Sequence, residues 1–465
     1  GGTAINAALN PEDKFYDAEL DIPDYDFFST NALHDAKELA DIFAKTNKYT
    51  VEAKSGQHYG TYKVFVNFIP VADITQCDPF IFERLWEEKL IKQGINYVPP
   101  NFLRWSMYLE LSRPMGDTSR WEKVYERLDL LNKQYPLPKN ACSNPKIKRD
   151  QYELHKDFSF LLHIYDAEKL YLDLKRALVK ENVIFFGYNA FSEYVSVAKG
   201  VDAHIKSKIK KNAIDFEVIS LDATSCVDSI QKQLMKNGYK NVVIKDRTNP
   251  AISDYIEKCY EVLMNDVVLV HVYQSMACHS YHSIKDKDVS MQIKIASIET
   301  LFSFYFIFLY LNDHYVRSYR ILCVAHTLMM IQKKHKYETN GLLKRFPIEC
   351  DGKQPMIRDI MNKKYEMFQY MQKNKYKKGD PYYDKWFLNY RPTADLSLIH
   401  VKKHKTVQKR KTKRTKTKTM RTKTRTKRKR TKRKRTKRKG KRTKRKGKRT
   451  KRKGKRTKRK GKRTK

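Results

Sequence analysis

The chain has 465 residues and a formal net charge of +46, which is enough length for two or three domains. The charge is concentrated at one end: residues 402–465 hold 42 Lys and Arg and no Asp or Glu, so residues 1–401 carry 55 basic and 51 acidic side chains, a net of only +4. The composition therefore excludes a uniformly basic protein and separates a nearly neutral folded part from a polycationic tail.

The chain opens with Gly1-Gly2-Thr3, and residues 4–9 should form a helix. Glycines let a backbone come close to a triphosphate, and the N–H groups at the start of a helix face its negative charge. The Thr3 hydroxyl can donate to a phosphate oxygen. We therefore predict that Gly1, Gly2 and Thr3 bind a nucleotide.

Three carboxylates follow this opening. Asp24 and Asp26 stand at the beginning of one predicted strand, and the apolar run 62–69 delivers Asp73 at the end of a second strand. Residues i and i+2 of a strand point to one face, so Asp24 and Asp26 can bridge the same pair of metal ions. Three carboxylates can hold two divalent cations between an attacking 3′-hydroxyl and the α-phosphate of a nucleoside triphosphate. We predict that Asp24, Asp26 and Asp73 are the catalytic metal ligands.

The order of these parts predicts a nucleotidyltransferase active site. Asp21 competes for the role of first ligand, but it lies three residues from Asp24 with Pro23 between them, which cannot put both side chains on one strand face. The sequence starts directly at the glycine motif, without an initiator Met or a preceding strand to support the loop. We therefore expect it to be part of a longer protein.

Apolar residues at helical spacing predict helices within residues 79–135. Four basic side chains in this region are candidates to contact the triphosphate or the RNA backbone, namely Arg113, Arg120, Lys123 and Arg127. Of these we select Arg113 and Lys123 as nucleotide-binding residues.

The second half of the chain contains short segments that resemble segments of the first half. Residues 186–190 resemble the opening of the chain, and residues 215–220 resemble residues 24–29. An amphipathic helix follows each copy, but the strand 267–273 ends without an aspartate. We predict a degenerate nucleotidyltransferase-like domain that was retained for structure or RNA contact, with chance similarity of two α/β segments as the alternative.

The seven cysteines contain no C-x-x-C pair, which favours reduced thiols over a disulfide framework or a zinc finger. They are Cys77, Cys142, Cys226, Cys259, Cys278, Cys323 and Cys350. The most hydrophobic segment, 301–311, is too short to span a bilayer, so we predict a buried helix there and no membrane partner.

We predict four segments. They are a catalytic domain at 1–138, a linker or connecting helix at 139–165, the degenerate domain at 166–396, closed by helices from residue 344 onward, and a tail at 397–465. The tail is rich in Lys, Arg and Thr and cannot form a core, so we expect it to be disordered. It is either an arm that binds polyanions without sequence preference or a repeat expansion with little further role.

Several motifs resemble the catalytic subunit of the poly(A) polymerases of large nucleocytoplasmic DNA viruses, in particular the mimivirus-like branch and more distantly the poxvirus and asfarvirus enzymes. The motifs are Gly-Gly-Thr-Ala at 1–4, Asp-Tyr-Asp-Phe-Phe-Ser at 24–29, Val-Ala-Asp-Ile at 71–74, Leu-Ser-Arg-Pro at 111–114 and Arg-Trp-Glu-Lys at 120–123. The resemblance implies a DNA polymerase β-like α/β fold and template-independent addition of AMP from ATP to an RNA 3′ end. It also implies two Mg²⁺ or Mn²⁺ ions held by Asp24, Asp26 and Asp73.

The same resemblance implies a virion and host-cytoplasm location, in the viral factory, and a homodimer, with a separate processivity subunit as the alternative. Two other functions remain open. The first is another RNA nucleotidyltransferase, of the uridylyl- or CCA-adding type, because the metal chemistry is shared. The second is a non-catalytic basic protein that coats nucleic acid.

Overall fold

The chain is described by a computed structural model, and residues 1–392 form one compact unit. The described residues are 1–17, 25–45, 48–138, 165–201, 206, 214, 216–311 and 318–392. Several predictions fall outside them, namely those for Asp21, Asp24, Cys142 and Asp215, nearly all of the linker, and the tail.

The first sheet has five strands in the order β1-β4-β3-β2-β15. They are β1 Tyr25–Ser29, β2 Val51–Ser55, β3 Thr61–Val66, β4 Ile69–Gln76 and β15 Asn389–Tyr390. Strands β1 and β4 are parallel, and the other pairs are antiparallel. Helix α2, Ala32–Ala44, packs three buried alanines against one face of this sheet.

The strand boundaries differ from the predicted ones. The apolar run 62–69 was expected to be one strand that ends at Asp73, but the structure divides it between β3 and β4. Asn67 and Phe68 have φ values of 51° and 71°, and the chain reverses there in a tight hairpin. The left-handed backbone suits Asn at such a turn. Asp73 therefore lies inside β4 and not at the end of a strand.

The predicted helical region at 79–135 is confirmed in large part. It contains α3 Pro79–Glu87, α4 Pro100–Leu111 and α5 Trp121–Gln134, in addition to α1 Gly2–Ala8 at the start of the chain. A hairpin of β5 Leu90–Lys92 and β6 Ile95–Tyr97, which we did not predict, interrupts the helices.

The second sheet has eight strands in the order β14-β12-β13-β7-β8-β11-β10-β9. The strands are β7 Ile184–Phe186, β8 Phe216–Ser220, β9 Val242–Asp246, β10 Cys259–Met264, β11 Val267–Gln274, β12 His279–Lys285, β13 Gln292–Ala296 and β14 Cys350–Asp351. The helices are α6 Ala167–Lys180, α7 Gly187–Val197, α8 Ala223–Lys236, α9 Ile298–Phe308 and α10 Ser318–Lys334.

Part of the second sheet repeats the topology of the first. The order β8-β11-β10-β9 matches β1-β4-β3-β2, with the same parallel first pair. The helix capping contact is repeated as well: Gln76 accepts from the Ala32 N–H at 3.1 Å, and Gln274 accepts from the Ala223 N–H at 2.8 Å. These correspondences support the predicted internal duplication over chance similarity.

The segment after β14 contains α11 Ile357–Lys373 and α12 Pro381–Phe387 before β15. We expected it to close the second domain, but β15 pairs with β2 in the first sheet. The last part of the predicted 166–396 domain therefore contributes a strand to the catalytic region.

Helix α9 is buried along its whole length, as predicted for the apolar segment. The Tyr108 ring of α4 contacts the Phe302 ring of α9 in a tilted arrangement with centroids 4.6 Å apart, so the helices of the first part share a core with the second sheet. In the described part of the chain, no helix combines the length and the apolar character that crossing a bilayer requires.

The prediction of seven reduced cysteines is wrong. Cys278 and Cys350 form a disulfide with Cα atoms 5.1 Å apart, and Cys323 is also disulfide-bonded. Strands β12 and β14 lie side by side and bring Cys278 and Cys350 together across 72 residues of sequence, a proximity that no local spacing could indicate. Among the described residues, Cys77, Cys226 and Cys259 are buried thiols outside disulfides.

Candidate active site

Asp26 and Asp73 are partners in the parallel pairing of β1 and β4. Partners on adjacent strands project to the same face and lie about 4.8 Å apart along the hydrogen-bonding direction. Their neighbours Ala72 and Ile74 point the other way, into the core under α2. Two of the three predicted carboxylates thus stand side by side on the face opposite α2, and Asp24 lies outside the described residues.

The row of charges continues across the sheet. Lys63 on β3 is the register partner of Asp73, and its Nζ forms an ion pair with Oδ2 of that carboxylate. Lys54 is the next residue of the row, on β2. The other oxygen of Asp73, Oδ1, is buried and has no hydrogen-bond partner among the described residues. Lys63 therefore binds one oxygen of the carboxylate, and the other oxygen is left without a hydrogen-bond partner among the described residues.

The glycine opening lies against this carboxylate pair. A Cβ atom placed on Gly1 would collide with Oδ2 of Asp26, so a side chain at this position would push the carboxylate aside. A Cβ atom on Gly2 would collide with the Tyr16 hydroxyl and would lie 2.9 Å from Nη1 of Arg127. Thr3 follows in α1 and is partly buried. Gly1 therefore lies beside Asp26, and the binding of a nucleotide by Gly1, Gly2 and Thr3 stays a prediction.

Arg127 is the basic residue that the structure places beside the glycines. Its guanidinium stacks on the Phe15 ring, with 4.2 Å between Cζ and the ring centroid, and Nη2 donates to the Tyr16 hydroxyl at 3.3 Å. Lys123 lies one helical turn earlier on the same face of α5 and is exposed. Arg120, by contrast, forms an ion pair with Glu110 at 3.3 Å.

Arg113, which we predicted to bind the nucleotide, lies beside the second sheet. Burial lowers the pKa of its guanidinium to about 10, and its charge, together with burial, lowers the pKa of His279. Ser112, the preceding residue, accepts a hydrogen bond from the Ser280 N–H at 2.9 Å. These contacts put Arg113 against β12 of the second sheet. In the described part of the chain, no contact links it to Asp26 or Asp73.

The second sheet carries a chemically different row at the equivalent positions. Glu217 on β8 replaces Asp26, and His271 on β11 replaces Asp73. Glu261 on β10 takes the place of Lys63, and its Oε1 lies 3.4 Å from Nε2 of His271. A Cβ atom on Gly187 would collide with Glu217, as one on Gly1 would with Asp26. In the second copy a glycine, Gly187, likewise lies against the first carboxylate, but His271 stands in the place of Asp73.

Part of this chain is similar in sequence to known proteins. Residues 1–117 match the family model described as "Poly(A) polymerase catalytic subunit". The chain is 25% identical over 264 residues to a poly(A) polymerase catalytic subunit of Acanthamoeba polyphaga mimivirus, covering 55% of this chain and 43% of the relative. The resemblance to viral poly(A) polymerase catalytic subunits is confirmed. An African swine fever virus subunit, isolate Tick/Malawi/Lil 20-1/1983, is 31% identical over 144 residues, which is 30% of each chain.

The fold is shared with a solved member of the same group. The crystal structure of the Megavirus polyadenylate synthase superposes with a TM-score of 0.62 at 20% identity, over 80% of this chain and 73% of that one. The predicted α/β fold class is thereby confirmed. The chain spans less than half the length of the curated poly(A) polymerase subunits that it matches.

Sequence reasoning missed Lys63 and Tyr16. Lys63 could have been found only with the correct hairpin, because a turn at Asn67 and Phe68 puts it opposite Asp73. Tyr16 stands in the loop between α1 and β1, where no periodicity constrains a side chain.

Proposed function

We propose that this protein adds AMP from ATP to the 3′ end of RNA, as a poly(A) polymerase catalytic subunit. The observation that carries the proposal is the in-register pair of Asp26 and Asp73 on one face of the first sheet, with Gly1 against the Asp26 carboxylate. The similarity of residues 1–117 to the family model supports it.

The donor set fits divalent cations. Asp26 is exposed beside Asp73, and the unpartnered Oδ1 of Asp73 is the kind of oxygen ligand that Mg²⁺ or Mn²⁺ takes. Asp24, Asp26 and Asp73 would hold two ions. When bound, such ions polarise the phosphoryl oxygens and make the attacking hydroxyl a better nucleophile.

The remaining residues orient the reactants. Because Gly1 and Gly2 have no side chains, their backbone lies directly against Asp26 and Tyr16, where a triphosphate bound by the carboxylates would meet it. Arg127 and Lys123 provide positive charge on one face of α5, and Arg127 is held by Phe15 and Tyr16. The carboxylate of Asp73 accepts the proton of the RNA 3′-hydroxyl as the hydroxyl attacks the α-phosphate of ATP and pyrophosphate leaves.

Incubating the full chain with an RNA primer and each nucleoside triphosphate separately tests the reaction. We expect a ladder of additions with ATP and an inactive protein when Asp26 is replaced by Asn. Preference for UTP, or addition of a short fixed C-C-A sequence, would replace this proposal with one of the other nucleotidyltransferase activities.

Removing residues 402–465 separates catalysis from coating. The polymerase proposal expects addition to survive, because the reacting groups lie in residues 1–127. A protein whose function is to coat nucleic acid would lose that function with its 42 basic tail residues.

We further propose that the protein works as a homodimer in the virion and the viral factory of the host cytoplasm, which rests on the family resemblance alone. Light scattering at several concentrations tests the dimer. A strictly monomeric protein would favour a separate processivity subunit.

A further inference from the structure

The C-terminal described segment is the basic part of the folded chain. Residues 353–391 contain ten basic and four acidic side chains, a net of +6. Residues 1–401 as a whole carry +4, so the rest of that part has a net charge of −2. The positive charge of the folded region is therefore gathered on α11, α12 and their connections.

This segment is fixed to the sheet that carries Asp26 and Asp73. Lys364 of α11 donates to the Gly56 carbonyl at 2.5 Å, just after the end of β2. Asp384 of α12 accepts from Nζ of Lys37 on α2 at 2.9 Å. Strand β2 lies two strands from β4 in the first sheet, a distance of about 10 Å. The basic segment therefore packs along the β2 edge of this sheet and reaches α2, which covers the face opposite Asp26 and Asp73.

Three of the four acidic side chains in the segment have hydrogen-bond partners, and the fourth, Glu366, is exposed on α11. Asp359 accepts from the Met356 N–H at the start of α11, and Asp380 accepts from the Lys377 N–H at 2.6 Å. Asp384 is buried in its pair with Lys37. Lys363 and Lys373, both on α11, are exposed and form no ion pair with a described carboxylate. Their charge is thus directed to the solvent.

Exposed tyrosines stand among these lysines. Tyr370 is 51% exposed and lies seven residues after Lys363, on the same helix face. Tyr376 and Tyr382 have ring centroids 5.3 Å apart, and the Tyr382 hydroxyl approaches the Met367 sulfur of α11 at 4.0 Å. We call Lys363, Tyr370, Lys373, Tyr376 and Tyr382 the tyrosine–lysine surface.

We propose that the tyrosine–lysine surface binds the single-stranded RNA primer upstream of its 3′ end. Single-stranded nucleic acid is bound by lysines that follow the phosphates and by aromatic rings on which bases stack without sequence preference. Both elements are present next to the sheet of Asp26 and Asp73, and the surface has the charge that an RNA backbone complements. The inference rests on the proposed function, because it identifies how the same site holds its polymer substrate.

The test compares two double variants of the full chain. Tyr370→Ala with Lys373→Gln removes one ring and one charge from the surface. Tyr337→Ala with Lys336→Gln is the matched control, since Tyr337 is 87% exposed and Nζ of Lys336 lies 5.8 Å from its ring. The tail is unchanged in both variants, so a difference in Kd between them comes from the substituted residues.

The probe is a fluorescein-labelled single-stranded oligoadenylate, and its Kd is measured by anisotropy without ATP. We expect the Kd of the surface variant to rise about tenfold, which corresponds to the loss of roughly one base stack, and the control to stay within about twofold. In steady-state assays, the KM for primer should rise by a similar factor while the KM for ATP does not change. The conservative Tyr370→Phe variant should bind like the unaltered chain.

Two results would overturn the inference. One is a surface variant whose Kd equals that of the control. The other is an unchanged Kd with a loss of self-association in light scattering, which would assign the surface to a second copy of the chain. Failure of the proposed function is distinct: the unaltered chain would add no nucleotide, whatever the anisotropy shows.

Discussion

Lys63 and Asp73 face each other across the antiparallel pair of β3 and β4, and the lysine ammonium is bound to one oxygen of the carboxylate. The Lys63 ammonium thus supplies one positive charge beside a carboxylate pair that is suited to divalent cations. This arrangement leads to a measurable expectation for cation binding.

Replacing Lys63 with Met should destabilise the protein when no divalent cation is present. The partly exposed pair contributes up to about 1 kcal/mol to the free energy of unfolding, and its loss leaves Asp26 and Asp73 repelling each other. Added Mn²⁺ should then raise the melting temperature of the variant more than that of the unaltered chain, at a lower half-saturating concentration. Differential scanning fluorimetry across a Mn²⁺ titration measures both effects.

Lys54→Met is the control for this prediction, because Lys54 lies in the same row but pairs with Glu52. Its response to Mn²⁺ should match that of the unaltered chain. If Lys63→Met instead abolished the Mn²⁺ response, Lys63 would be needed to shape the site and would not compete with the cation.

Glu217 and Asp26 occupy equivalent positions in the two sheets, which allows a paired test of the second copy. Asp26→Asn should reduce single-turnover adenylation by more than the roughly 100-fold that outer-shell substitutions around a metal cause. Glu217→Gln should leave that rate within about threefold, because His271 stands where a third carboxylate would be needed. Rapid-quench measurements at saturating primer give the single-turnover rate of each variant. Equal losses in both variants would mean that the chain has two catalytic centres.

His279 should make stability depend on pH. Burial, with the charge of Arg113, lowers its pKa to about 3, whereas an unfolded histidine has a pKa of about 6.5. Above pH 6.5 both states are neutral and the effect is absent. Below it the unfolded chain binds one more proton, so the free energy of unfolding falls by about 1.4 kcal/mol per pH unit, or roughly 2 kcal/mol between pH 7 and pH 5.

Urea unfolding of the His279→Leu variant checks this contribution. The variant should lose less stability than the unaltered chain between pH 7 and pH 5. His58→Leu, which alters an exposed histidine, should show the full loss. Identical pH slopes for all three proteins would contradict a buried, neutral His279.

The disulfide between Cys278 and Cys350 encloses 72 residues of sequence and should stabilise the fold by constraining the unfolded chain. Cys350→Ser should lower the free energy of unfolding by about 2–4 kcal/mol. Because excess reductant also breaks the disulfide of Cys323, the unaltered chain in reductant should unfold at or below the urea concentration of the variant. Mass spectrometry of a non-reduced digest should recover the linked peptides, and their absence would contradict the bond.

Sequence patterns predicted most of the helices and strands that depend on neighbouring residues. Helical periodicity predicted a helix where α2 follows β1 and helices within residues 79–135, where α5 lies, and the similarity of residues 215–220 to residues 24–29 indicated the second sheet with its β8 and β11 pair. These features depend on residues close in sequence, where side-chain period and turn chemistry act directly.

Features that join distant segments had no such signal. Nothing around Cys278 marks Cys350 as its partner, and nothing around Arg113 indicates that it packs near His279. The hairpin at Asn67 was missed for a different reason: an unbroken apolar run hid a turn that depends on a left-handed backbone. Sequence reasoning therefore missed contacts between distant segments and the conformation of a turn, whereas it predicted whether most elements are helices or strands.

The pairing of β15 with β2 has a consequence for biosynthesis. Strand β2 leaves the ribosome more than 300 residues before Asn389, the residue that pairs with Lys54. Until then the outer edge of β2 presents unpaired N–H and C=O groups, the kind of edge that recruits other chains. The nascent protein must therefore protect this strand while more than 300 further residues are synthesised, and the sheet that carries the carboxylates is completed only when residues 389–390 emerge.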